Sequence, residues 1–242
     1  MVYFWIEILV YFSVNINKNV EIDLTDINSR EIPLGQIGTS VSQATEIDLH
    51  FENYMPDSIF YIAPDMVNYN NIYNSDWSRK VVVRIIINNF NGNGYTLYDT
   101  IDIIRPPVLL IHGLNSDYKC FSQLQAQLLD TELYKSGQAH CVDYWPTNQA
   151  AFEENSHVLP NSIKGIKRDW KEKGYSVSKL DIVGHSMGGI LSRLYLQSSN
   201  YNNDIHKLIT LNTPHSGSHG ANVLVKHPKI RELIGLNGKA VD

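Results

Sequence analysis

The spacing of apolar and polar positions divides the chain into two textures. Up to about residue 104 the pattern is short and β-like. Ile47, Leu49 and Phe51 alternate with polar residues, which predicts a half-buried strand. The run from Arg79 to Ile87 is rich in β-branched residues, which suit a pleated surface better than a helix. Asn88 to Gly94 supplies Asn-Gly turn chemistry, and Tyr95 to Ile104 reads as the next strand. Several short strands with turns between them predict a small all-β, sandwich-like domain. The opening run MVYFWIEILVYF is apolar but broken by Glu7, and no Lys or Arg precedes it. It lacks the features of a secretory signal and is too short to span a bilayer. It reads as a strand, or as the point where a longer gene was cut.

Arg105-Pro106-Pro107 punctuates the chain, because two prolines cannot continue a sheet ladder. The expected organisation is therefore an accessory β domain over 1–104 and a second domain over 105–242. In the second, Val108-Leu109-Leu110-Ile111 is a continuous apolar run, the mark of a strand buried on both faces. A helix is expected from Tyr118 to Leu133, with Phe121, Leu124, Leu128 and Leu129 on one stripe. A strand follows over His140–Tyr144, a helix over Asn161–Lys173, and a strand over Leu180–Val183. Next come a helix over Met187–Gln197 with Ile190, Leu191 and Leu194 inward, a strand over Leu208–Leu211, and a last helix within Ala221–Ile234. This alternation predicts an α/β fold, a mostly parallel sheet with helices on both faces.

Composition narrows the chemistry only a little. The chain has 242 residues, 43% of them hydrophobic, with a formal net charge of -5. That gives no basic footprint for nucleic acid and no polybasic patch for anionic lipid. Cys120 and Cys141 fit no metal-binding spacing; one disulfide or two buried thiols are both open.

Candidate chemistry lies in Gly184-His185-Ser186-Met187-Gly188, a G-x-S-x-G pattern. At ordinary glycine and serine usage a chain this long shows it by accident about one time in twelve, so its setting decides. It sits between a buried strand and an amphipathic helix, where a nucleophile elbow belongs. There a serine is held on a sharp turn with its hydroxyl lifted above the sheet. Side chains at Gly184 and Gly188 would crowd strand against helix, and the helix N-terminus favours a developing oxyanion. His112-Gly113-Leu114-Asn115-Ser116 follows the first buried strand. Sites of this kind take one oxyanion donor from the residue after the nucleophile, here Met187, and another from a loop after an early strand, here Leu114. Gly113 lets the backbone approach the substrate. His112 precedes the serine, so it is expected to brace the loop and not to act as base.

PPVLLIHGLNS, LDIVGHSMGG and LITLNTPHSGS together resemble α/β-hydrolases of the lipase and esterase branch. The likeness covers about 108–235 and is nearest to bacterial lipases and to the GPI inositol-deacylase group. It implies a partial α/β-hydrolase domain with Ser186 as nucleophile and Leu114 and Met187 as oxyanion donors. His112, Gly113, Gly184, His185, Gly188 and His215 would shape the site. The implied reaction cleaves carboxylic esters, acyl lipids foremost, with no metal and no organic cofactor. The implied partner is a small-molecule or lipid ester; no nucleic acid partner is expected, and peripheral membrane contact stays open. Residues 1–104 resemble no enzyme and suit an immunoglobulin-like module. That module and the lipase-like motifs point to an extracytoplasmic place.

A serine needs a base to take its proton and a carboxylate to orient that base. The fold's order is serine, acid, histidine. Only 56 residues follow Ser186, and Asp204 is the one acid there that precedes any histidine. Asp204 comes before a strand, whereas chemistry in these sheets gathers beyond the carboxyl ends. Acid and base are therefore expected beyond Asp242, with little esterase turnover from this chain alone. His215 is expected to line the site, and His215 with His219 makes no metal pair in a segment broken by Pro214 and Gly217. Two alternatives remain: an acyltransferase, or an inactive surface binding protein with a hydrolase-like domain.

Overall fold

The computed structural model describes residues 94–131 and 134–233 and, before them, 6–8, 18–26, 36–38, 43–44, 46–51, 59–62 and 78–89. The tip of the expected Asn-Gly turn at 90–93, most of the N-terminal apolar run, Leu133 and Ile234 lie outside the described residues. Two units separate, Met1–Arg105 and Pro106–Asp242.

Among the described residues the first unit is all-β. One antiparallel sheet holds β1 (Ile6–Ile8), β3 (Gln36–Gly38), β4 (Gln43–Ala44) and β6 (Ile59–Ile62) in the order β1-β6-β3-β4. The other holds β2 (Lys18–Asp26), β5 (Glu46–Phe51), β7 (Ser78–Asn89) and β8 (Gly94–Ile104) in the order β5-β2-β7-β8. In β7, Val81, Val83 and Ile85 are buried while Val82, Arg84 and Ile86 are half-buried, the period of two that a one-sided strand requires.

The second unit is a four-stranded parallel sheet with helices on both faces. β9 (Val108–Ile111) is buried at every residue and pairs with β10 (Ala139–Val142) and β11 (Leu180–His185); β12 (Ile205–Leu211) lies beyond β11, giving β10-β9-β11-β12. A 3₁₀ turn, Tyr118–Phe121, leads into α1 (Ser122–Asp130). Phe121, Leu124 and Leu128 pack on Val108, Leu110 and Ala139, so α1 covers the face those residues present. Leu109, His140 and Val142, of opposite parity, face α2 (Val158–Glu172). α2 begins three residues before the expected start, because Pro160 sits in the first helical turn, where its missing N–H is no loss.

α3 (Met187–Leu196) differs from its expected packing. Its buried face is Met187, Gly188, Leu191, Ser192 and Tyr195, while Leu194 is exposed. The small Gly188 and Ser192 let the helix approach the sheet, and that close approach, not apolar side-chain content, selects the inward face. The expected last helix is two, α4 (His219–Lys226) and α5 (Pro228–Leu233), because the residue before a proline avoids helical backbone and His227 is at φ -126°, ψ 72°. α4 has no buried residue, and Ile209 and Leu211 of β12 are exposed, unlike their counterparts in β9.

The parallel strands carry the unit's core. Truncating Ile182, fully buried in β11, to alanine is expected to cost about 2–5 kcal/mol. Urea unfolding followed by a probe in the second unit reads this directly; a loss below about 1 kcal/mol would show that Ile182 is not a core contact.

Candidate active site

β11 runs between β9 and β12, and its carboxyl end delivers the chain to Ser186 and then into α3. Ser186 is at φ 51°, ψ -117°, a left-handed conformation that costs a non-glycine residue on the order of 1–3 kcal/mol. Its N–H donates to Leu211 O at 2.8 Å, tying the turn to the end of β12. The residue is half-buried.

The glycines around it are there because backbones meet. A Cβ on Gly188 would collide with the carbonyl oxygens of Ile111 and His112, so α3 starts directly against the end of β9. One on Gly113 would lie 2.8 Å from the Ser186 Cβ and 3.1 Å from His185 Nδ1. The loop after β9 is thus packed on the serine, and Ser186, Gly113 and His185 form one cluster. Gly184 presses on the Gly189 backbone and Gly189 on Thr213, so the close contacts extend past the G-x-S-x-G pattern to Thr213 in the next loop.

Leu114 is half-buried and Met187 is buried, with Met187 the first residue of α3. Among the described residues neither backbone N–H has an acceptor. His112 is wholly buried: its ring stacks on Tyr144 at 4.2 Å, and its Nδ1 lies 3.0 Å from Gly113 O. A carbonyl only accepts, so Nδ1 carries the proton, and Nε2 accepts the Tyr144 N–H at 3.3 Å. The Asp143 carboxylate is 3.5 Å from the same Nε2.

The structure does not bring His215 to Ser186 by any hydrogen bond among the described residues. His215 is exposed; its Nε2 lies 3.1 Å from Thr210 Oγ1, and Arg193 Nη1 donates to its carbonyl at 2.9 Å. Asp204 lies before β12, buried, accepting from Tyr195 Oη at 2.8 Å and Lys167 Nζ at 3.2 Å. Burial, with Asp204 beside it, pushes the Tyr195 hydroxyl above its usual range. One aspartate–histidine pair does exist, Asp181 Oδ1 to His206 Nδ1 at 2.9 Å. It lies at the far end of the strands: five residues of β11 place Asp181 roughly 16 Å from Ser186. Burial raises the Asp181 carboxyl, and His206 opposes that. No group of three or more His, Cys, Asp or Glu side chains among the described residues is placed to hold a metal ion. Cys120 and Cys141 are free thiols, Cys120 exposed, both pushed up in pKa chiefly by burial.

Pattern reading misses the second layer. Tyr144, Asn148 and Asn155 belong to no motif, yet they form a buried polar cluster beside the loop after β9. In the sequence they lie in a mixed polar and apolar stretch after a strand, indistinguishable from an ordinary loop.

A parallel sheet with a strained serine between β11 and α3 is the arrangement of an α/β-hydrolase fold. Residues 103–223 match the family described as PGAP1-like alpha/beta domain, half of the chain, and the chain belongs to that family. It is similar to Lipase 1 of Staphylococcus aureus, strains NCTC 8325 / PS 47 and COL, at 26% identity over 132 residues, covering 45% of this chain and 18% of each relative. The chain therefore spans under a fifth of the length of the curated relatives it matches. The mature Bacillus licheniformis lipase BlEst2 is similar in structure at 25% identity and TM-score 0.46, over 57% of this chain and 53% of that one.

Asp181→Asn should leave the reactivity of Ser186 toward a fluorophosphonate unchanged while costing about 1–3 kcal/mol of stability. Paired labelling-rate and urea measurements check both; a fall in labelling rate without unfolding would make the Asp181–His206 pair part of the site.

Proposed function

We propose that this protein is a serine hydrolase that cleaves carboxylic esters, acyl lipids foremost, through an acyl-enzyme on Ser186. The observation that carries the reading is the packing of Gly113 on Ser186, next in sequence to Leu114 and Met187, whose backbone N–H groups have no acceptor among the described residues. The choice of acyl lipids draws on the lipase name of the Staphylococcus aureus relatives.

In this reading the Ser186 oxygen attacks the acyl carbon while a base takes its proton. The carbonyl π electrons move onto oxygen, and the Leu114 and Met187 N–H groups hold that charge. Collapse expels the alcohol, which leaves with the proton returned by the base. Water then repeats the cycle on the acyl-enzyme and releases the acid. Preorganised amides need no reorientation as charge develops, and losing one such donor costs on the order of 10²–10³ in rate. The base must come from outside the described hydrogen bonds of Ser186. Acyl transfer to another alcohol shares the first half of the cycle, and product analysis separates the two.

The complete protein is expected to react with a fluorophosphonate at Ser186, the serine oxygen bonding to phosphorus as fluoride leaves. Ser186→Ala should abolish this. Peptide mapping that puts the label elsewhere, or no label on folded protein, would overturn the assignment and favour an inactive binding domain.

A further inference from the structure

Gly113 and Leu114 share one peptide group, and in a trans peptide the C=O and N–H point in opposite directions. Whatever holds the Gly113 oxygen therefore aims the Leu114 N–H. That oxygen accepts from Asn148 Nδ2 at 2.9 Å and from His112 Nδ1 at 3.0 Å. The same Asn148 side chain accepts through Oδ1 from the N–H of Asn115, so it bridges both sides of Leu114. Asn115 is left-handed at φ 53°, the turn this bridge encloses. One residue further back, Tyr144 Oη donates to His112 O at 2.6 Å.

The clamp is itself held. Asn148 is 1% exposed, and its N–H donates to Trp145 O at 3.2 Å. Thr147 Oγ1 donates to Asn155 Oδ1 at 2.7 Å, and Asn155 Nδ2 returns a bond to Thr147 O at 2.9 Å. Asn155 is also 1% exposed. Buried amides with all their partners in place make a rigid frame, because breaking one bond strands a polar group away from water.

The frame has a reason. Gly113 must lack a Cβ to fit against Ser186, and glycine is the residue whose backbone turns most freely. Left alone, the 113–114 peptide could flip and present its carbonyl to the serine. We infer that Asn148, assisted by Tyr144, is a positioning residue that locks the Gly113–Leu114 peptide with its N–H toward Ser186. This inference rests on the hydrolase reading above and adds to it the residues that orient one oxyanion donor.

The test uses the complete protein, p-nitrophenyl butyrate as ester and a fluorophosphonate as Ser186 reagent. Asn148→Asp keeps the acceptor for Asn115 but faces Gly113 O with a second oxygen; Asn148→Ala removes both bonds. Each should lower kcat roughly 10- to 100-fold, with KM within about twofold because ground-state binding does not use the oxyanion donors. In ¹⁵N-leucine, ¹⁵N-methionine protein, phosphonylation should move the Leu114 and Met187 amide protons downfield in the wild type. In Asn148→Asp only the Met187 signal should move. A merely structural role would lower stability without this selective loss.

Wild-type protein that neither labels nor turns over would remove the hydrolase reading itself. A reactive wild type, with Asn148 variants matching it in kcat and in the Leu114 shift, would overturn the clamp alone. If neither Asn148 variant folds, Tyr144→Phe decides. It deletes one hydroxyl and should lower kcat by about 3- to 10-fold; unchanged kcat there also overturns the proposal.

Discussion

Contact between main chains at the carboxyl ends of β9 and β11 is the constraint on which the site depends. α3 begins against the last carbonyls of β9, and the loop after β9 rests on Ser186. Neither approach leaves room for a side chain. The serine is held in a backbone state that an isolated turn would not keep. Three parallel strands and the bond from Ser186 N–H to Leu211 O over-determine it. Strain at this point is stored by the sheet, and the sheet is stable because β9 and the alternate residues of β11 are apolar and buried.

Polar groups divide by the end of the sheet at which they lie. At the amino ends, charge is paired: Asp181 with His206, Asp204 with Lys167 and Tyr195. These pairs satisfy buried ionisable groups and stand a strand's length from Ser186. At the carboxyl ends the buried polar groups are mostly neutral amides and hydroxyls, His112, Tyr144, Asn148 and Asn155. Hydrogen bonds from this frame orient the backbone of the loop after β9. The Asp143 carboxylate lies 3.5 Å from His112 Nε2 on the partly exposed side of that frame.

The family match and the geometry bear on different questions. Membership of the PGAP1-like alpha/beta domain family covers residues 103–223 and accounts for the parallel sheet. It does not say how the Leu114 N–H is aimed, which depends on Tyr144, Asn148 and Asn155, residues of an irregular segment between β10 and α2.

Local patterns were enough to locate β9, β11 and Ser186, and to place the serine between a strand and a helix. The apolar run of a buried strand and a glycine-flanked serine are written in adjacent residues, and their spacing alone marks them. Other features needed the assembled fold. Leu194 is apolar and was expected inward, yet it faces solvent because Gly188 and Ser192 let the other side of α3 come closer. α2 starts at Val158, three residues before the expected Asn161. Asn148 and Gly113 stand 35 positions apart, and nothing in either neighbourhood announces the other. Hydrogen bonds of that kind are chosen by which groups burial leaves without water, and burial is a property of the packed molecule that no stretch of chain carries alone.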